Sequence, residues 1–222
     1  MNTTFSYHRA SPPPFNPTAE FMAGAVSLKS FPPESLPEIA FAGRSNVGKS
    51  SLLNRVLNKK KLVRVSRTPG CTKQVNFFLI QKQWLFVDLP GYGYAQVNRD
   101  QRSAWDHVMA EYLSSRRNLR AVLVLFDGRR GVMDTDRQMI DFLAERGLPF
   151  LPIATKIDKM NASERDKSLK EMTQQFVTVG KFVLLPIVAT SAHNGDGMEE
   201  LWRRLRLLLD PEEAFVPPQN LI

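Results

Sequence analysis

Six short apolar runs alternate along the chain with segments of helical periodicity. The strand candidates are Glu38–Ala42, Val75–Ile80, Trp84–Val87, Ala121–Phe126, Phe150–Ala154 and Phe182–Ala189. Several are apolar without interruption, the pattern of strands covered on both faces. The helix candidates are Lys49–Leu57, Arg99–Ser115, Asp134–Arg146, Ala162–Val179 and Gly197–Leu209. Leu201, Leu205, Leu208 and Leu209 give the last of these an apolar stripe. A short polar link between Val75–Ile80 and Trp84–Val87 predicts a hairpin, and the rest alternates strand, helix, strand. The expectation is a three-layer α/β domain: a six-stranded, mostly parallel mixed sheet flanked by about five helices. Ligands of such sheets bind at the carboxyl ends of the strands, which is where chemistry is to be sought.

The 222 residues suit one large domain with its own core. Ten of the 15 prolines lie outside residues 38–210, which predicts extended arms around one body. The reading is an N-terminal arm over 1–24, partly flexible, a domain over 25–210 and a tail over 211–222. Cys71 is the single cysteine, so no intrachain disulfide forms. Met1 to Arg9 lacks an apolar core of the secretory kind, and no apolar run approaches the length of a bilayer span. A monomeric cytoplasmic protein without integral membrane association is expected.

The net charge of +8 is unevenly placed. From Ile39 through Val87 there is no Asp or Glu, while Arg44, Lys49, Arg55, Lys59, Lys60, Lys61, Arg64, Arg67, Lys73 and Lys82 all fall there. The remainder of the chain is close to neutral. Such a stretch is either a solvated basic face or a surface for a polyanion.

Within it, the first strand runs into Gly43-Arg44-Ser45-Asn46-Val47-Gly48-Lys49-Ser50 and then into a helix. Strand, G-x-x-x-x-G-K-S and helix in that order make a phosphate-binding loop. Its glycines let backbone N–H groups converge on phosphate, and the helix N-terminus adds a positive dipole end. Lys49 is placed to reach the β- and γ-phosphates of a nucleotide, and the Ser50 hydroxyl to ligate Mg²⁺.

Asp88-Leu89-Pro90-Gly91 closes the run Trp84–Val87. An Asp at this strand end suits a contact to the Mg²⁺ shell, and Gly91 offers an unobstructed N–H for a γ-phosphate. Between the two motifs, Ser66 to Lys73 carries Thr68 and Thr72, either of which could complete the Mg²⁺ shell. Cys71 reads as a small filler, since no His lies near it in sequence.

The strand Phe150–Ala154 ends in Thr155-Lys156-Ile157-Asp158, and the last strand ends in Thr190-Ser191-Ala192. Asp158 can accept from both the ring N–H and the exocyclic amine of guanine, a donor pair that adenine lacks. Lys156 can lay its aliphatic stem over the purine, and the Ala192 N–H can meet the guanine oxygen. Leaving a buried acceptor unpaired costs a few kcal/mol, so this pair of loops selects GTP over ATP.

Together these residues resemble the P-loop GTPases with a Ras-like fold, of the TrmE-Era-EngA-EngB-Septin-like group, and more closely the EngB family. The resemblance covers about residues 20–210. Its most specific pieces are Gly43 to Ser51, Pro69-Gly70-Cys71-Thr72, Asn76-Phe77-Phe78, Asp88-Leu89-Pro90-Gly91-Tyr92-Gly93-Tyr94-Ala95 and Thr155 to Asp158. It implies that Thr72, not Thr68, is the loop threonine on Mg²⁺, and that Lys49, Thr72 and Gly91 carry catalysis. It adds Gly70, Cys71, Lys73 and Gln74 to the nucleotide contacts. It also implies a role in assembly of the large ribosomal subunit and a need for the protein in cell division and septation.

Two departures from the general GTPase pattern carry expectations. Thr155 replaces the usual Asn of the guanine motif, so the tie between base loop and phosphate loop is expected to be looser. Tyr92 follows Gly91 where many GTPases place a water-orienting Gln, so slow intrinsic hydrolysis is expected. By resemblance, Asn46 is a candidate to hold K⁺ beside the phosphates; its other reading is a loop residue tolerant of left-handed backbone. Lys59, Lys60, Lys61, Arg64, Arg67 and Lys73 ring the first switch loop and predict docking on the large ribosomal subunit or its RNA. Tyr92, Tyr94 and Trp105 could add stacking surface, and Arg116, Arg117 and Arg120 read as a second basic group.

Overall fold

The computed structural model describes residues 16–59, 62, 74–93, 99–177 and 179–210, with residues 99–106 described by their backbone. Among the described residues, seven strands and five α-helices follow in the order β1 (Ala19–Ala25), β2 (Glu38–Gly43), α1 (Lys49–Val56), β3 (Val75–Ile80), β4 (Trp84–Asp88), α2 (Arg99–Ser115), β5 (Leu119–Asp127), α3 (Asp134–Glu145), β6 (Phe150–Thr155), α4 (Ala162–Val177), β7 (Val188–Ala189) and α5 (Met198–Leu209). The strands form one sheet in the order β1-β3-β4-β2-β5-β6-β7. The β1–β3 and β3–β4 pairs are antiparallel and the others parallel. Among the described residues no helix is long and apolar enough to cross a membrane.

Alternation along the central strands divides the core in two. Ala40, Ala42, Val122 and Val124 face one side, where Tyr112, Leu113, Ile140, Leu143, Met172 and Phe176 from α2, α3 and α4 cover them. Ile39, Phe41, Leu123 and Leu125 face the other, under Leu52, Leu53 and Val56 of α1 and Leu201, Trp202 and Leu205 of α5. The central parallel strands are thus buried on both faces over most of their length, which is why they read as apolar runs.

Two expectations about strands need correction. The sheet has a seventh strand, β1, so Ala19–Gly24 belongs to the sheet and not to an arm. Its sequence, Ala-Glu-Phe-Met-Ala-Gly-Ala, has no β-branched residue and does not alternate cleanly; its strand character comes from the β3 backbone, from Ala19↔Ile80 to Ala25↔Val75. The predicted strand Phe182–Ala189 is broken. Val183 makes a single bridge to Phe150, and pairing resumes only at Val188 and Ala189. Pro186 lies between them and has no N–H to give to the ladder.

At the amino end of β2, Glu38 is fully buried. It accepts hydrogen bonds from Arg116 Nε at 3.2 Å, Tyr112 Oη at 2.8 Å and Asn118 Nδ2 at 3.2 Å, and pairs with Arg116 Nη2 as well. Arg116 Nη1 also donates to the Pro32 carbonyl at 2.8 Å. Arg116 is therefore an internal counter-ion and does not join Arg117 and Arg120 in a surface group, as its sequence neighbourhood suggested. This pair pins the start of β2. The carboxyl end of that strand opens into the loop at Gly43.

Candidate functional site

The segment Gly43–Ser50 wraps at the carboxyl end of β2. Gly48 has φ 108° and Asn46 φ 65°, both left-handed, and the Val47 N–H turns back to the Arg44 carbonyl at 3.1 Å. The Gly48 carbonyl then accepts the Leu52 N–H at 2.8 Å, starting α1. Asn46 is a residue type that tolerates this conformation, which fits its reading as a loop residue. The Val47 side chain is buried in the core, so only its backbone could serve a phosphate.

Lys49 is 8 % exposed, and its Nζ pairs with Oδ1 of Asp88, itself 1 % exposed. Parallel pairing of β2 with β4 puts Asp88 opposite Phe41 and brings the two motifs together. An ammonium carries three donors, so Lys49 can keep Asp88 and still reach phosphate oxygens. Leu89 and Pro90 are buried, and the Leu89 N–H donates to the Phe41 carbonyl at 3.0 Å. Both shape the turn and present no side chain to a ligand.

Gly91 passes close to the phosphate loop. A Cβ there would stand 3.0 Å from Ser45 Oγ and 3.3 Å from Ser45 Cα, a tight contact in which Ser45 would have to give by a few tenths of an ångström. The next residue locks the approach: the Ser45 N–H donates to the Tyr92 carbonyl at 3.1 Å and the Tyr92 N–H to the Gly43 carbonyl at 3.3 Å. The Tyr92 hydroxyl donates to Asp136 of α3 at 3.0 Å, and Arg44 forms an ion pair with the same carboxylate at 3.2 Å. Burial above all, and then the Asp136 charge, raise the Tyr92 hydroxyl well above its ordinary pKa. Asp136 was not among the residues singled out from the sequence.

Thr155 is 4 % exposed at the end of β6, and its Oγ1 lies 2.7 Å from the Val47 carbonyl and 3.0 Å from that of Phe126. One hydroxyl thus serves both the phosphate loop and the neighbouring strand. Lys156 has φ 60° and spreads over the phosphate loop, donating from Nζ to the Asn46 carbonyl at 2.7 Å and to Asp127 Oδ2 at 3.0 Å. Asp127 also accepts from Arg129 Nε at 2.9 Å and Nη2 at 2.7 Å. Burial alone would push its carboxyl up, but the hydrogen bonds from Arg129 and Lys156 override this and hold it well below the usual carboxylate range.

Asp158 is exposed, with one carboxylate oxygen accepting from Ser191 Oγ at 2.6 Å. Ser191 is fully buried, and its Oγ accepts the His193 and Asn194 N–H groups at 3.2 and 3.3 Å. The Ile157 N–H donates to the Thr190 carbonyl at 3.3 Å, and the Thr190 N–H to that of Ala154 at 2.7 Å. Ala192 follows directly. The two base loops are one hydrogen-bonded unit, and through Thr155 and Lys156 they rest on the phosphate loop.

Gln74 donates to Asn76 at 2.9 Å and packs against the backbone of Gly24. Gly70, Cys71, Thr72 and Lys73 lie outside the described residues, as do Thr68, Lys60, Lys61, Arg64, Arg67 and Tyr94; so does the Trp105 side chain. Among the described residues no cluster of three His, Cys, Asp or Glu could hold a metal. Ser50, in the first turn of α1, and Asp88 are hard oxygen donors of the kind Mg²⁺ takes. With so few protein ligands, such an ion fits this site in company with phosphate and water oxygens.

Comparison with known proteins agrees with this geometry. A family model described as 50S ribosome-binding GTPase matches residues 38–156, and one described as elongation factor Tu GTP binding domain matches residues 109–211. A probable GTP-binding protein EngB of Desulfitobacterium hafniense (strain DSM 10664 / DCB-2) is 43% identical over 202 residues, covering 88% of this chain and 97% of the relative. That of Thermotoga maritima is 42% identical over 190 residues, covering 86% and 95%. The crystal structure of a probable GTP-binding protein engB superposes with TM-score 0.59 at 26% identity, over 78% of this chain and 98% of that one. Aquifex aeolicus Era shares the fold with TM-score 0.64 at 22% identity, over 78% and 57%.

Proposed function

The chain belongs to the EngB family of GTP-binding proteins, and on that premise we propose that this P-loop GTPase is a nucleotide-switched factor in assembly of the large ribosomal subunit, needed for normal cell division and septation. It acts as a cytoplasmic monomer. One observation carries the reading: the longest stretch of the chain without a carboxylate, Ile39–Val87, holds the phosphate loop and the first switch together. A switch set in cations presents a surface for polyphosphate that nucleotide state can alter. The matching family model, described as ribosome-binding, supports the same partner.

In this reading Lys49 and the loop N–H groups hold the β- and γ-phosphates, and the Gly91 N–H reports the γ-phosphate. Mg²⁺, when bound, would be held by Ser50 and Thr72 and would supply charge neutralisation on the phosphates. Asp158 reads guanine, with Lys156 spread beside it. Hydrolysis is slow because no amide side chain follows Gly91, and the Tyr92 hydroxyl proton is committed to Asp136. Asn46 would hold K⁺ beside the phosphates, and that ion or a partner would supply the positive charge that raises the rate. Equal single-turnover rates in K⁺ and Na⁺ would remove the cation from this account.

The test is co-sedimentation with large ribosomal subunits at low salt, in a non-hydrolysable GTP analogue and in GDP. Binding in one nucleotide state and not the other is the expected result. Absence of nucleotide-dependent binding would favour a switch that engages a protein at the septum or membrane.

A further inference from the structure

The carboxylate of Asp136 joins three segments that lie far apart in sequence. Oδ1 accepts the Tyr92 hydroxyl at 3.0 Å, while Oδ2 faces Arg44 Nε at 3.2 Å and accepts the Met133 N–H at 3.0 Å. Asp136 is fully buried and the Arg44 side chain is 17% exposed, so this contact is shielded from solvent screening. Asp136 stands in the first turn of α3, where the helix dipole favours an anion. Met139, Ile140 and Leu143 fasten that helix into the core. The carboxylate is therefore a fixed point of the domain, and the loops at Arg44 and Tyr92 are tied to it.

The backbone completes the arrangement. Residues 43–45 and Tyr92 exchange the two main-chain hydrogen bonds already described, and Gly93, with φ 76°, packs where a Cβ would meet Thr135 Oγ1 at 3.1 Å. Adjacent Cα atoms are about 3.8 Å apart, so holding Tyr92 by backbone and hydroxyl leaves Gly91 little room. Burial keeps the Tyr92 hydroxyl protonated and thus a donor across the physiological range.

We infer that Asp136 is a positioning residue for Gly91: it clamps Tyr92 and Arg44 together and so holds the Gly91 N–H at the mouth of the phosphate loop. The inference rests on the reading of Gly91 as the γ-phosphate contact. It assigns Tyr92 a role as anchor and not as a residue that orients water. Loss of the clamp frees Gly91, which weakens binding of nucleotides that carry a γ-phosphate. GDP, which has no such group, is spared.

The experiment uses the full-length protein, fluorescent GDP and a fluorescent non-hydrolysable GTP analogue. Its variants are Tyr92→Phe, Asp136→Asn and the double. Tyr92→Phe keeps the ring and its packing and removes only the hydroxyl, so it tests the clamp even if Asp136→Asn folds poorly. Each single substitution is expected to weaken the GTP analogue about tenfold and to leave GDP within about twofold. The double is expected to be no worse than the worse single, because Asp136→Asn removes the charge that holds Arg44 and leaves Tyr92 a weaker, neutral acceptor, so both changes loosen one clamp. Equal losses for the two nucleotides, an unchanged ratio in Tyr92→Phe, or additive effects in the double would overturn the clamp. Wild-type protein that bound neither nucleotide would instead overturn the reading of the site, and the clamp with it.

Discussion

The Thr155 hydroxyl lies 2.7 Å from the Val47 carbonyl, a buried contact that ties the guanine loop to the phosphate loop beside the more exposed one from Lys156 to the Asn46 carbonyl. The Phe126 carbonyl stands 3.0 Å from the same Thr155 oxygen. An Asn would place a longer side chain here with separate donor and acceptor atoms. Thr155 obtains direct contact with the phosphate loop by sitting at the end of β6, close enough for one short side chain to reach.

Thr155→Val removes the donor that both carbonyls share and keeps the shape. The expected cost is about 1–3 kcal/mol of stability, with weaker guanine-nucleotide binding alongside. Denaturant unfolding without nucleotide measures the first part. An unchanged midpoint would show that the hydroxyl is no tether.

Asp158→Asn replaces two acceptor oxygens by one acceptor and one donor. Guanine then loses a charge-assisted hydrogen bond, and GDP affinity is expected to fall about a hundredfold. Xanthine presents a carbonyl where guanine has its amine, so xanthosine diphosphate should gain relative to GDP. Competition binding decides it, and an unaltered preference for GDP would remove Asp158 from base recognition. The Ser191 hydroxyl, 2.6 Å from Asp158, keeps an acceptor in the variant.

Asp127 predicts a dependence on pH. Its folded-state pKa is depressed, so the unfolded chain takes up a proton from solution more readily than the native one. The stabilisation is present above the unfolded carboxylate value, about 3.9, and is lost as pH falls below it toward the depressed native value. Thermal unfolding of the wild type and of Asp127→Asn should differ at neutral pH, and the gap should narrow below about pH 4. A gap independent of pH would mean that the carboxylate charge contributes nothing there.

Lys59 is exposed just beyond α1, and its neighbours Lys60 and Lys61 extend the same run. Neutralising all three should weaken binding to ribosomes or RNA and flatten its salt dependence by up to about three contacts. GTP affinity should stay nearly the same, since none of the three belongs to the phosphate loop. A parallel loss of nucleotide binding would contradict this division of the charge.

Much of the fold was legible because parallel strands buried on both faces leave apolar runs, and residues 39–43, 84–87 and 150–154 are such runs. The edges were not legible. β1 is a strand because β3 offers it a backbone partner, and β7 is short because Pro186 interrupts its ladder. Neither fact is a property of an apolar pattern.

The site divides in the same way. Sequence by itself determined the phosphate loop, the acid at the end of β4 and the two base loops, because each is a local chain geometry that demands particular residue types at fixed spacing. Only the tertiary structure decided that Lys49 pairs with Asp88, that Arg116 is consumed by Glu38, and that Asp127 holds Lys156 in place. It also brought Asp136 to Tyr92 and Arg44. In sequence, an Asp in the first turn of a helix reads as a cap and nothing more. Its partners lie 44 residues away for Tyr92 and still further for Arg44, and hydrogen bonds over such separations are set by which elements the sheet order places side by side.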